Sequence, residues 1–152
     1  MKQSPELNLI QANMVPGSLS AHGFLGDDSR NLTDILRTDA KALKQAGITQ
    51  LALADKMQEL TDFGIRGLGR PMPMDGFFEI EVEDYMGKLP CPFRDNARVD
   101  KRQTRVRRLD TGVTMRWTDL NIHMIREHGF FEGHGSIYRL DPDELVRFLG
   151  LV

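Results

Sequence analysis

The tripeptide His-Gly-Phe occurs twice, at His22-Gly23-Phe24 and His128-Gly129-Phe130. Each copy runs into a turn with glycine and an acid: Leu25-Gly26-Asp27 after the first, Phe131-Glu132-Gly133-His134-Gly135 after the second. Imidazole is the commonest metal ligand and the usual group for proton transfer near neutral pH. Glycine at 23 and 129 permits sharp turns. The two segments are therefore expected to bring His22 and His128 into one pocket walled by Phe24 and Phe130. An apolar lining with a few convergent polar groups is what a ligand site needs. His134 and Cys91 extend this to a candidate metal set of His22, His128, His134 and Cys91, whose nitrogen and sulfur donors suit a divalent ion such as zinc. Asp27 and Glu132 stand beside them in sequence. An imidazole pair alone is suited to acid/base work.

Structural roles compete with these. His128 ends a predicted helix, where exposed carbonyls favour a cation. Cys91 sits between Pro90 and Pro92, and free cysteine is commonly a small buried hydrophobe. His123 and His128 are five residues apart, roughly 140° around a helix axis. His128 falls with Leu120 and Met124 on the inner face. His123 falls with Arg126 and Glu127 and reads as a solvent-facing bystander. No serine elbow, phosphate loop, dinucleotide fingerprint or metalloprotease helix is present.

The elements that must position these residues follow from periodicity. Leu32, Ile35, Leu36, Leu43 and Ala46 form one stripe, interrupted only by Asp39, and predict a helix over about 31–46. Gly47 ends it. Thr49 caps a second helix over about 50–63, with Gly64 as the stop. A Gly/Pro-rich connector follows over 64–73. Phe78, Ile80 and Val82 then alternate with Glu79, Glu81 and Glu83, the pattern of a strand with one wet face. The segment 89–93 cannot be a central strand, because proline donates no ladder bond. Segments 104–109 and 113–117 flank Asp110-Thr111-Gly112 as a hairpin. Thr118 caps a helix over 119–128, and 136–140 reads as a short strand. Asp141-Pro142-Asp143-Glu144 is a helix start with cap, first-turn proline and acid. The order α-α-β-β-β-α-(β)-α clusters its strands, which implies an α+β fold with a mainly antiparallel sheet. Residues 1–28 read as irregular or peripheral to a single domain over 1–152.

Composition narrows the function classes. The chain of 152 residues is 40% hydrophobic and 28% charged, ordinary for a globular domain with its own core. A net charge of −2 gives no general attraction to nucleic acid or anionic membrane. Seven basic residues lie between Arg94 and Arg108, but five acids and no base lie between Asp75 and Asp84. If those strands are neighbours, the charges pair across the sheet. Nucleic acid is thus not the expected partner, and the helix over 50–63 carries Asp55, Glu59 and Asp62 against a single Lys56. One cysteine excludes an intrachain disulfide and suits a reducing cytosol. The start, Met1 to Glu6, lacks a signal-peptide core, and no long apolar run spans a membrane. A cytoplasmic protein binding a small molecule or metal is the leading expectation. The second is a protein-interaction module built on the N-terminal helix pair and the hairpin.

Overall fold

Alternation of apolar and charged residues organises the sheet. The computed structural model describes residues 2–152. Four strands, β1 (Met72–Met74), β2 (Phe78–Pro90), β3 (Arg98–Arg108) and β4 (Thr114–Thr118), pair antiparallel in the order β1-β2-β3-β4. Glu79 stands opposite Arg107 and Glu81 opposite Arg105. Arg105 reaches Glu81 at 2.6 Å, and Arg107 reaches Glu79 at 3.7 Å. This register turns Ile80, Val106 and Trp117 inward, and all three are fully buried. A one-residue slip would bury the arginines instead.

The helices are α1 (Pro5–Ala12), α2 (Leu32–Ala46), α3 (Gln50–Ile65), α4 (Asp119–His128) and α5 (Pro142–Phe148). The α+β class holds, with five helices among the described residues where the patterns implied about four. The additional helix is α1, inside the segment read as irregular. Ser4 accepts a bond from the Leu7 N–H and Pro5 opens the first turn. Ile10, Met14, Phe24 and Leu25 are all buried, so the described part of this segment, residues 2–28, contributes to the core.

Other boundaries shift for packing reasons. Gly64 does not stop α3, which runs on to Ile65. A Cβ on Gly64 would strike the side chains of Ile80 and Val82, so the missing side chain lets helix and sheet approach. The segment 136–140 is not a strand. Ser136 N–H bonds the Gly133 carbonyl and Arg139 N–H bonds the Ser136 carbonyl, which coils the chain into successive turns. The remaining strand is β1, formed from the connector. β2 extends past a register shift between Asp84 and Lys88 to pair Leu89 with Val99 and Pro90 with Arg98. β1 pairs only with residues 78–80. Pro90 therefore sits where β2 has no second neighbour, as proline requires.

Two apolar clusters result. One lies between the sheet and α3, α4 and α5, around Trp117, Leu53, Met57 and Leu60. Three buried polar side chains within it pair with one another: the Trp117 indole N–H donates to Thr61 at 2.9 Å, and Thr61 shares a 2.7 Å bond with Thr104. The other joins α1, the first His-Gly-Phe turn, Cys91, Phe93, Leu120, Met124 and Phe130. Asp39, the polar member of the α2 stripe, is buried against Arg139, which grips it through two nitrogens at 2.6 and 2.9 Å. Among the described residues, no helix is long and apolar enough to cross a membrane.

Candidate metal centre

The turn that joins β2 to β3 carries two donor side chains. The Cys91 N–H bonds the Ala97 carbonyl at 3.0 Å and closes the turn. Within it Arg94 and Asn96 adopt left-handed φ values of 61° and 63°. The Ala97 N–H donates to one Asp95 carboxylate oxygen at 3.0 Å, a local bond that aspartate makes readily in turns. That bond holds Asp95 Oδ1 and leaves Oδ2 to point at α4.

α4 supplies the other two donors. Thr118 and Asn121 form a reciprocal capping box at its start, and Gly129 closes its end in the left-handed conformation. The helix is thus fixed at both ends. His123 and His128 both direct Nε2 at Asp95 Oδ2, at 2.8 and 2.7 Å. The ring centroids are 5.6 Å apart, with planes at 76°. His123 is therefore not a solvent-facing bystander. The angle between the two positions was correct but insufficient: imidazoles on either flank of a helix can meet over it when a loop residue lies above. Phe93 stacks on His128 at 4.1 Å and 6°, and Phe130 packs edge-on against Phe93 at 5.4 Å. Phe130 supports the site from behind.

One donor atom from each of Cys91, Asp95, His123 and His128 lies within 4.8 Å of all the others. In a tetrahedral zinc site, bond lengths of about 2.0–2.3 Å put neighbouring donors about 3.3–3.7 Å apart. The two imidazole–carboxylate contacts need to open by roughly half an ångström to admit an ion on these bond lengths. The Cys91 thiolate position is already served by the Phe93 N–H, 3.4 Å from sulfur. The side chains of His123, His128 and Asp95 are 18, 20 and 25% exposed, so the cluster is reachable from solvent. Burial works to raise the Asp95 pKa, but the Ala97 N–H and both imidazoles outweigh it and hold the carboxyl well below its ordinary range. Asp95 is thus a carboxylate at neutral pH, ready to ligate. Burial pushes the Cys91 thiol up to about 12, with the Asp95 charge adding to the effect. A cation would have to displace that proton.

The chain matches no protein-family model, no curated protein and no solved structure.

The remaining expected site residues lie elsewhere. His22 and His134 are exposed and do not belong to the four-donor group. The two His-Gly-Phe turns nonetheless meet through their backbones. Gly133 N–H bonds the Phe24 carbonyl at 2.8 Å and Asp27 N–H bonds the His134 carbonyl at 3.2 Å. The His134 N–H donates to Asp28 at 3.0 Å, and Arg30 holds that carboxyl well below the ordinary range through a direct hydrogen bond. The contact brings His22, Phe24 and Glu132 to one narrow cleft of about 100 Å³. The pocket expected as one is therefore divided. His128 and Cys91 join Asp95 and His123, while His22 and Phe24 join Glu132. The signal for Asp95 and His123 was the acid four residues beyond Cys91 in a proline-stiffened turn, facing a helix with two histidines.

Proposed function

We propose that this protein binds a divalent transition metal, zinc in its chemistry, through Cys91, Asp95, His123 and His128. The observation that carries this reading is the convergence of both imidazole Nε2 atoms on a single carboxylate oxygen with a cysteine sulfur alongside. One sulfur, two nitrogens and one oxygen suit zinc or a similar borderline ion. Calcium and magnesium want more oxygen donors than this set offers. Four protein ligands leave no open position in a tetrahedral site, which is the arrangement of structural rather than catalytic centres. The ion would tie the β2–β3 turn to α4, two segments already joined by the Asp95–imidazole hydrogen bonds and the Phe93–His128 stack.

The test is elemental analysis of protein purified without a metal-affinity tag, followed by cobalt substitution. The expected result is one equivalent of zinc, and a cobalt spectrum with thiolate-to-metal and tetrahedral ligand-field bands. Cys91→Ser should remove the thiolate band, and His123→Ala should abolish stoichiometric binding. Protein that takes up no zinc or cobalt, or variants that bind as tightly as the parent, would refute the assignment.

A further inference from the structure

The cleft made by the two His-Gly-Phe turns holds a buried acid that the metal site does not use. Glu132 is only 3% exposed, yet it lines a cavity of about 100 Å³ between the turns. Its Oε2 accepts from the Asn121 amide at 2.9 Å, and its Oε1 is 2.6 Å from the Ser136 hydroxyl. The Asn121 amide cannot turn round, because its oxygen already accepts the Thr118 N–H at 2.8 Å. Both partners of the carboxyl are therefore neutral. Among the described residues, no lysine, arginine or histidine forms an ion pair with Glu132. The Arg139 guanidinium favours the ionised acid only weakly against burial: it binds the Glu132 backbone carbonyl at 2.8 Å and is paired with Asp39. A buried carboxylate without a cationic partner is costly, and in a cleft it marks a candidate functional group. Burial raises the Glu132 pKa to about 7, so the acid is poised to ionise when a cation arrives.

The walls define the rest of the ligand. Leu19, Phe24, Leu89 and Leu120 are apolar, and His22 and Tyr138 supply polar groups. Each Glu132 oxygen holds one hydrogen bond and retains acceptor capacity. We infer that this cleft is a second binding site, which takes a small molecule with a short aliphatic body and a primary-ammonium head seated on Glu132. Cavity size limits the enclosed part to roughly three to five non-hydrogen atoms, since a 150 Å³ cavity holds benzene. So small a ligand binds at about millimolar strength. A longer amine could extend past His22 at the exposed mouth.

The probe is n-propylammonium chloride, titrated above neutral pH and followed by backbone amide chemical shifts. Propanol and propionate serve as the neutral and anionic isosteres. The expected result is saturable shifts at Asn121, Glu132, Ser136 and His22 with propylammonium, at least tenfold weaker with propanol and absent with propionate. Glu132→Gln keeps the size and the hydrogen-bonding shape of the side chain and should weaken binding at least tenfold. Leu19→Trp fills the cleft from its half-buried rim without touching the carboxyl, and should block binding even if the glutamine variant folds poorly. Absence of shifts with the parent protein, equal binding by Glu132→Gln, or propanol binding as well as propylammonium would overturn the inference. Shifts confined to Cys91, Asp95 and His123 would also count against it. The outcome is independent of whether zinc binds, because the amine probe and the metal probe report different residues.

Discussion

Asp95 is the residue on which the proposed metal centre turns. It carries no sequence motif, but it is the common hydrogen-bond partner of both imidazoles. Asp95→Asn keeps the shape and removes the charge. It should weaken zinc at least as much as the loss of an outer partner of a metal ligand, about 10–100-fold, as read by competition with a chromophoric chelator. Binding should also depend on pH in a defined direction. Zinc must displace the Cys91 proton, held up to about 12, and must find the imidazoles neutral. Affinity therefore rises with pH and releases protons into the medium. Calorimetry in buffers of different ionisation enthalpy measures that release, and a buffer-independent enthalpy would argue against thiolate ligation.

At the scale of elements, the turn–turn contact is the most exacting junction. Gly26 has φ 59°, and a Cβ there would run into the backbone of Gly135 and Ser136. Gly17 has φ 83° but faces open space. Gly17→Ala should lose about 1–2 kcal/mol, the cost of left-handed backbone alone. Gly26→Ala should lose clearly more, because the second turn must move as well. Equal losses in chemical denaturation would show that the contact contributes nothing. The C-terminal helix offers a second comparison. Asp141 accepts from the N–H groups of Asp143 and Glu144, so Asp141→Ala should cost about 0.5–2 kcal/mol. Deleting residues 141–152 removes Leu145, Val146, Phe148 and Leu149, all buried. At about 1.5–3 kcal/mol per buried large apolar side chain, that truncation should abolish cooperative unfolding at ambient temperature.

For the whole molecule, Glu132 sets a pH dependence. Its pKa rises from 4.5 to about 7 on folding, chiefly through burial. The folded chain then keeps a proton that the unfolded chain releases. Stability from this group is fully present below about pH 4.5 and is lost as the pH rises from there through about 7. The span corresponds to about 3 kcal/mol. Asp28 and Asp95 shift the other way, so their contributions are lost on acidification instead. Glu132→Gln should therefore gain stability relative to the parent as the pH is raised from about 5 to about 8. Parallel stability profiles for the two proteins would rule out a buried, proton-holding Glu132.

Much of this architecture is legible in residue order because it depends on near neighbours. The Glu79–Glu83 alternation specifies which face of β2 is wet, and the complementary Arg105 and Arg107 specify its partner. Thr118 and Asp141 cap helices through bonds that reach only two or three residues. Ser4-Pro5-Glu6 carries the same kind of start signal as Asp141-Pro142, yet the weak period behind it hides α1. The candidate sites are different in kind. Asp95 lies 28 and 33 residues from the imidazoles it bridges, and Asp28 lies 106 residues from the His134 N–H it accepts. Periodicity describes one element at a time and cannot say which loop will cover which helix face. The repeated His-Gly-Phe segments do come together, through backbone hydrogen bonds between the turns and a shared apolar cluster that holds Phe24 and Phe130. Close packing of glycine backbones aligned the two turns, and the path of the β2–β3 hairpin carried Cys91 and Asp95 to α4. Long-range packing that no local pattern records thereby placed His123 and His128 at the candidate metal site and His22 at the buried-acid cleft, and left His134 at neither.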